Sequence, residues 1–444
     1  MSALRLAIPV LLALCLAAGA GATTLPECLA SARRHAPSLR AAEAGVSRAE
    51  QAIREARAAL SPALRFSANL VQNSEAPKVV FPLPGSPSPQ VIQTASATAL
   101  DARVAGEYTL YSGGRDAALL HAAEAQRFGQ QRSREQAEAD LELRVSQAYY
   151  RVLAAQRLDS AAREAIASAR AHLTASAARV TAGVSPRLDS LRAAVDLAQR
   201  ATAVARAAEA VRVARVELES AIGAPLDPAA SLGEPGDPAL DVPDDSAAVA
   251  RALASRPELA ALDQSLRENR EREQAARAAR GPVVSLNATA QYLGPNRSED
   301  YWDTSDPGLR THRLFAGIGV TMPIFDAGLA SARAGEIAAD RLGIEARRQE
   351  AALGIRREIA QALSDLRVAL AVWQVDIGRV ATAREALRIA SAGYRGGTST
   401  GTDVRDAETA LADSRADEAQ SLMDCWTARA ALDHALGATA GRER

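Results

Sequence analysis

One segment of the sequence matches a catalytic motif. Residues 397–401 read Gly-Thr-Ser-Thr-Gly, which fits the G-x-S-x-G elbow that presents the nucleophilic serine of many hydrolases. That elbow requires a strand before the serine, whereas the residues before Ser399 have the spacing of a long helix. We therefore interpret Ser399 as a chance match. The alternative, a hydrolase, predicts that the purified protein cleaves esters and loses this activity in Ser399→Ala.

Other catalytic and binding patterns do not occur in the sequence. The five histidines lack the spacing of metal ligands, and the chain has neither a P-loop nor a dinucleotide-binding fingerprint. The 52 basic and 53 acidic residues leave a net charge of -1, which argues against binding nucleic acid by neutralising its phosphates. We predict no enzymatic activity, no cofactor, no metal site and no nucleic-acid partner.

The start of the chain predicts a secretory signal at residues 1–22. Arg5 precedes an apolar run at residues 6–18, and small residues suited to cleavage follow. Two cysteines, Cys28 and Cys425, remain after cleavage. A disulfide between them and two buried free thiols are both compatible with the sequence, because spacing alone cannot place the two Cα atoms within ~7 Å.

The chain contains an internal duplication. Matched residues lie 214 positions apart without a gap, and they include Gly183 and Gly397, Ser185 and Ser399, and Asp189 and Asp403. Upstream the offset becomes 220, as for Pro37 and Pro257. Each copy is predicted to contain a helix, two strands, a very long helix, a turn and a helix.

The duplication predicts the domain organisation. After the signal, the first repeat covers residues 23–222, a Pro/Gly-rich connector covers 223–257, the second repeat covers 258–437, and a tail covers 438–444. The first repeat is predicted to have strands at about 64–73 and 99–111 and helices at about 114–181 and 186–222. The second is predicted to have strands at about 283–292 and 313–323 and helices at about 328–395 and 401–437. A short helix is predicted near 247–254 in the connector.

The two longest predicted helices have about 68 residues each, roughly 100 Å at the rise of an α-helix. In both, apolar residues recur with alternating spacings of four and three, with one aspartate in the series in each helix, Asp159 and Asp376. A repeat of 3.5 residues makes helices pack side by side as coiled coils. A globular enzyme has no use for helices of this length.

The four predicted strands alternate apolar and polar residues over about ten positions, long enough to cross a bilayer as tilted strands. Asp101, Arg103 and Glu107 fall on one face of the second strand, which suits a wet interior. Open sheet edges are not tolerated in lipid, so the four strands predict a barrel shared by several chains. A proline-rich loop is predicted between the first two strands, at 74–98. The alternative is a soluble, half-buried sheet.

Two further segments are distinctive. Residues 322–328 read Met-Pro-Ile-Phe-Asp-Ala-Gly, and residues 393–398 and 402–407 read Gly-Tyr-Arg-Gly-Gly-Thr and Thr-Asp-Val-Arg-Asp-Ala. The chain resembles the TolC family of outer-membrane exit ducts over nearly its whole mature length, and these segments resemble the family's entry into a long helix and its periplasmic turn. The resemblance implies a mainly α fold with a membrane β-barrel. The duplicated units of a homotrimer would form a twelve-stranded β-barrel and a twelve-helix α-barrel tunnel.

The resemblance also implies a function and partners. The chain would be the passive outer-membrane conduit of a tripartite efflux pump or of a type I secretion system, embedded in outer-membrane lipid and reaching into the periplasm. A periplasmic adaptor would contact the turns at Gly183, Ser185, Gly397 and Ser399, and an inner-membrane transporter would supply the energy. The alternative is a soluble periplasmic adaptor, which would have lipoyl-like and barrel domains around a single helical hairpin. Two full repeats and four membrane-type strands favour the duct.

A periplasmic gate is implied by the same resemblance. Asp403 and Asp406 match two aspartates that ring the family's narrow periplasmic end, where three chains would bring six carboxylates together. Such a ring attracts cations and repels anions, and crowding raises the pKa of some of its members. Tyr394 and Asp189 match a tyrosine–aspartate link of the closed state. The alternative is that the aspartates only cap helices after glycine turns.

The sequence departs from the family's gate at three positions. Ser399 and Leu188 stand where the family has the arginine and threonine of a second link, and Arg405 replaces a leucine between the two gate aspartates. These departures leave the strength and ion selectivity of closure open.

Overall fold

The computed structural model describes residues 23–75, 78–81, 85, 90–93, 97–227, 231–238, 240–294 and 312–437. The predicted secretory signal at 1–22 and the predicted tail at 438–444 lie outside these residues. In chain order the elements of the first part are α1 (Leu25–His35), α2 (Pro37–Ala58), β1 (Ala63–Gln72), β2 (Lys78–Phe81), β3 (Gln90–Gln93), β4 (Thr98–Tyr111), α3 (Arg115–Thr181) and α4 (Arg187–Ile222). Those of the second part are α5 (Asp245–Ser255), α6 (Pro257–Ala278), β5 (Val283–Gly294), β6 (His312–Thr321), α7 (Leu329–Gly396) and α8 (Gly401–Ala435).

The start of each repeat differs from the sequence expectation. Two helices, not one, precede the strands, because the chain is extended at Ala36 (ψ 124°) before Pro37. The pair α5 and α6 lies 220 residues after α1 and α2, so part of the predicted connector is helical. The predicted helix at 247–254 is α5, longer at both ends. The domain boundaries themselves stay a prediction.

The segment predicted as a loop at 74–98 contains two short strands. Strands β2 and β3 pair antiparallel, with Lys78 opposite Gln93 and Phe81 opposite Gln90. The pair is separate from the main sheet. Because this segment is rich in proline, it was predicted as a loop and its two strands were not predicted.

The main sheet is antiparallel, with strand order β1-β4-β5-β6. Its register places apolar residues opposite one another in rows across the four strands, as in the row Phe66, Val104, Ala290 and Leu314. The next row is polar and contains Ser67, Arg103, Gln291 and Arg313. The sheet therefore has one apolar and one polar face, as the alternation predicts.

Among the described residues, nothing covers either face of this sheet. Leu64 is 80% exposed and Leu314 is 81% exposed on the apolar face. Every residue of β1 is exposed, including those on the polar face. A soluble, half-buried sheet would cover one face, so the burial pattern does not fit that alternative.

The chain divides into two compact units. One consists of residues 46–130 and 261–347 and contains the sheet; the other consists of residues 1–45, 131–260 and 348–444 and contains the main apolar core. Each unit takes segments from both repeats, so the repeats are not the compact units. The core of the second unit includes Tyr149, Leu363, Cys28 and Cys425.

The coiled-coil pattern of the long helices is confirmed by burial. In α3 the predicted seam residues Leu141, Val145 and Val152 are at most 2% exposed, as are Ile355, Ile359 and Leu366 in α7. Asp376 lies in this seam at 3% exposure, and Arg379 compensates its charge at 2.9 Å. Among the described helices, none has the length and apolar character needed to span a membrane.

The two cysteines are free and buried. They lie in the same apolar core, in α1 and α8. Burial raises the pKa of both thiols to about 11, so both stay protonated near neutral pH. Of the two alternatives left open by the sequence, the structure has the buried free thiols.

Candidate gate at the helix turns

Both long helices end in the same way. Gly183 after α3 and Gly397 after α7 have φ of 75° and 82°, the left-handed region that glycine adopts without strain. The amide of Val184 donates to Arg179 and that of Gly183 to Val180, and the second repeat has the equivalent bonds from Thr398 and Gly397. These are Schellman motifs, which satisfy the last carbonyls of each helix. We call residues 182–186 and 397–400 the tip turns.

The helix that follows the second tip turn begins with a capping box. Thr400 is the N-cap residue, and its hydroxyl accepts from the amide of Asp403 at 3.2 Å. The Asp403 carboxylate in turn accepts from the amide of Thr400 at 2.7 Å. This backbone hydrogen bond and a second bond with the Thr400 side chain lower the pKa of Asp403, so its charge persists into mildly acidic conditions. Asp403 is exposed and does serve the helix end, as the capping interpretation proposes.

The first tip turn has a different arrangement. Helix α4 begins after Pro186, and the Asp189 carboxylate accepts from the Ser185 hydroxyl at 2.6 Å. Asp189 and Asp403 therefore occupy the third position of their helices. Neither is the N-cap residue itself.

Asp406 has no capping role in the structure. It lies one turn after Asp403 on α8 and is exposed, with its carboxylate 3.4 Å from the Arg405 guanidinium. Both side chains of this pair are well exposed, so solvent screens their attraction. The structure thus presents two acidic side chains and one arginine on the first turns of α8.

The structure does not join Tyr394 to Asp189 by a hydrogen bond. Tyr394 is 6% exposed, and its hydroxyl has no partner among the described residues. Its ring lies 5.5 Å from that of His172, and the Arg179 guanidinium lies over it at 4.6 Å. Sequence reasoning missed His172 and Arg179; their spacing of seven, which places both on one face of α3, was the available signal.

The serine of the G-x-S-x-G match lies between two helices, α7 and α8, with no strand before it. Its hydroxyl packs against Gly393, where a Cβ atom would clash with it. The elbow geometry is therefore missing. Among the described residues, no group of histidine, cysteine and acidic side chains could hold a metal ion.

A small cavity and a larger groove adjoin the tip turns. The cavity, of ≈ 20 Å³, is lined by His172, Asp189, Asp196, Arg405 and neighbouring residues of α4 and α8. The groove, of ≈ 710 Å³, runs along α4 past Leu188, Leu191 and Val195. These three apolar side chains are 51–59% exposed, so the groove presents an apolar surface to solvent.

Comparison with known proteins identifies the family. The sequence model of the family described as outer membrane efflux protein matches residues 28–224 and 248–438. The chain belongs to the outer membrane efflux protein family. As a member, it is an outer-membrane efflux duct that extends into the periplasm, and the soluble adaptor alternative is not favoured. The family and the structural neighbours are channels and not enzymes.

Solved structures share the fold at low sequence identity. A membrane protein from Pseudomonas aeruginosa is 22% identical with a TM-score of 0.76, over 95% of this chain and 91% of that one. The outer membrane protein VceC from Vibrio cholerae is 20% identical with a TM-score of 0.74, over 93% and 96%. The open state of the MtrE outer membrane channel from Neisseria gonorrhoeae is 21% identical with a TM-score of 0.75, over 93% and 89%. The search of curated proteins found no match.

Proposed function

We propose that three copies of the chain assemble into one passive duct. The observation that carries this proposal is the sheet: four strands with an uncovered apolar face and with β1 and β6 each paired on one side only among the described strands. In lipid, unpaired strand edges are too costly to persist. Three chains would join β6 of one to β1 of the next and close a barrel of twelve strands, with the apolar face toward lipid.

The duct would catalyse nothing and bind no cofactor. Transport would be driven by an inner-membrane transporter, in an efflux pump or in a type I secretion system, through a periplasmic adaptor. The adaptor would contact the tip turns at Gly183, Ser185, Gly397 and Ser399. The exposed apolar series of the groove along α4 supports a protein contact beside these turns, because large exposed apolar patches mark interaction surfaces.

The gate of this duct would lie at the tip turns. Asp403 and Asp406 from three chains would form a ring of six carboxylates, while Tyr394 and Asp189 would act at the contact between the two coils α3–α4 and α7–α8. The exposure of both ring aspartates and the depressed pKa of Asp403 support a charged ring near neutral pH.

The test of the assembly begins with membranes from cells that express the full-length protein. Inner and outer membranes are separated, and the outer fraction is run by size exclusion in mild detergent with mass determination. We expect the mass of a trimer in the outer-membrane fraction. A monomer in the soluble periplasm would overturn the shared barrel and return the sheet to a soluble role.

A further inference from the structure

Arg179 joins the two repeats at the tip turns through two contacts with Tyr394. The guanidinium lies 4.6 Å from the centre of the Tyr394 ring, within the range of a cation–π interaction. Its Nη1 also donates to the Tyr394 carbonyl oxygen at 2.9 Å. A single side chain of α3 thus holds both the ring and the backbone of a residue in α7.

The position of Arg179 is electrostatically favourable. It lies two residues before the end of α3, and Tyr394 lies two residues before the end of α7. The last carbonyls of a helix carry the negative end of the helix dipole, and the Tyr394 carbonyl accepts from the Gly397 amide as well as from Arg179. A guanidinium at this place stabilises both helix ends at once. The corresponding position of the second repeat is Gly393, so each chain has one such arginine.

Three buried polar atoms in or next to this contact lack a hydrogen-bond partner among the described residues. The Ser176 hydroxyl, the Arg179 Nε and the Tyr394 hydroxyl are all buried with no hydrogen bond among the described residues. Ser176 is completely buried and lies between His172 and Arg179 on the same face of α3. Such groups destabilise the packed arrangement, and water would satisfy them if the two coils separated. Hydration therefore favours separation, and the Arg179–Tyr394 contact opposes it.

We propose that Arg179 is the latch that holds the coil α3–α4 to the coil α7–α8 at the tip turns. Tyr394 is held by Arg179 in this chain, in place of a hydrogen bond to Asp189. Release of the latch lets water reach Ser176, Arg179 and Tyr394, and the coils part. This inference rests on the proposed gate at the tip turns and specifies how its closed state is maintained.

The test compares R179Q with R170Q in the full-length protein. Arg170 is an exposed arginine of the same helix, so R170Q removes the same charge without touching the latch. In hydrogen exchange, we expect amides at 393–398 to exchange on the order of tenfold faster in R179Q, and at the wild-type rate in R170Q. In planar bilayers, R179Q should show a higher single-channel conductance than wild type. Y394L should reproduce the effect, and R179Q/Y394L should add little to either single variant.

The outcomes separate the latch from the gate. Faster exchange and higher conductance in R179Q, with R170Q like wild type, support the latch. If R179Q behaves like wild type in both measurements while D403N/D406N alters ion selectivity, the latch is wrong and the gate stands. If neither R179Q nor D403N/D406N alters conductance or ion selectivity, and hydrogen exchange at 393–398 is unchanged in R179Q, the latch and the gate are both wrong. Equal effects of R179Q and R170Q would reduce the effect to net charge and overturn the latch.

Discussion

We propose two roles for Asp403, which lies in the first turn of α8 just after the second tip turn: capping the helix and charging the gate. Asp403 closes a reciprocal pair of hydrogen bonds with Thr400, which stabilises the start of α8. The same bonds hold the carboxylate in its ionised form, because they lower its pKa. A capping role and a role in a charged ring are therefore compatible, because the capping hydrogen bonds also keep the carboxylate ionised. Asp406, which caps nothing in the structure, adds charge alone.

The gate prediction follows from this difference. In D403N/D406N we expect cation selectivity to fall, because three chains lose six negative charges while Arg405 keeps its positive one. Asparagine retains a carbonyl oxygen that can accept from the Thr400 amide, so α8 keeps its capped start. The measurement is the reversal potential across a bilayer with a salt gradient. Asp413→Asn, an exposed acid further along α8, is the control. Unchanged selectivity in the double variant removes the ring from the gate.

At the scale of elements, the hydrophobic period and the positions of glycine and proline predicted the long helices and the strands. They did not predict which distant segments contact one another. The heptad seam predicted α3 and α7, and alternation predicted the two faces of the sheet. Pro37 marks the break at Ala36, yet only one helix was predicted before the strands. The pairing of Arg179 with Tyr394 joins residues 215 positions apart; the spacing of His172 and Arg179 places both on one face of α3 but does not show which residue of α7 they contact. Which gate residues touch is decided by helix packing, which the sequence did not show.

One such distant contact centres on His434 near the end of α8. Its ring nitrogens lie 2.8 Å from Asp140 in α3 and 3.5 Å from Glu358 in α7, and Arg256 also pairs with Glu358. Hydrogen bonds to Asp140 and then to Glu358 raise the pKa of His434 from 6.5 to about 9, against the effects of burial and of Arg256. The same bonds lower the pKa of both carboxyl groups. This cluster ties helices of the two repeats together.

The cluster predicts a definite pH dependence of stability. Because the folded pKa of His434 is raised, its contribution is complete below about pH 6.5 and is lost as the pH rises through about 9. The carboxyl groups of Asp140 and Glu358 have lowered pKa values, so their contribution to stability is lost as the pH falls through those values. We expect the free energy of unfolding of wild type to exceed that of His434→Gln by on the order of 3 kcal/mol at pH 6, and this difference to shrink toward zero above pH 9. Thermal unfolding from pH 6 to 10 measures it, with His35→Gln, on the exposed side of α1, as control. A difference that does not vary with pH would contradict the assignment.

At the scale of the whole molecule, duplication and assembly address the same problem. Two strands from each repeat make a sheet of four, which still has an unpaired edge on β1 and on β6 among the described strands. No described residue covers the apolar face, so the sheet exposes a large apolar surface that is unfavourable in water. In the proposed trimer, closure with further copies and insertion into lipid would remove both the unpaired edges and the exposed apolar surface. Folding of the sheet and assembly of the duct are therefore expected to be coupled.

The two faces of β1 provide the sharpest test of that coupling. Phe66→Arg places a guanidinium on the apolar face, in a row of apolar residues that reaches Leu314, and would cost about 2–4 kcal/mol per chain near the middle of a bilayer. Asn69→Arg places the same group on the polar face, directly opposite Asp101, where a cation is favourable. We expect outer-membrane trimer to be lost in the first variant and retained in the second, as measured by fractionation and mass in detergent. Equal yields from both variants would mean that the apolar face does not meet lipid.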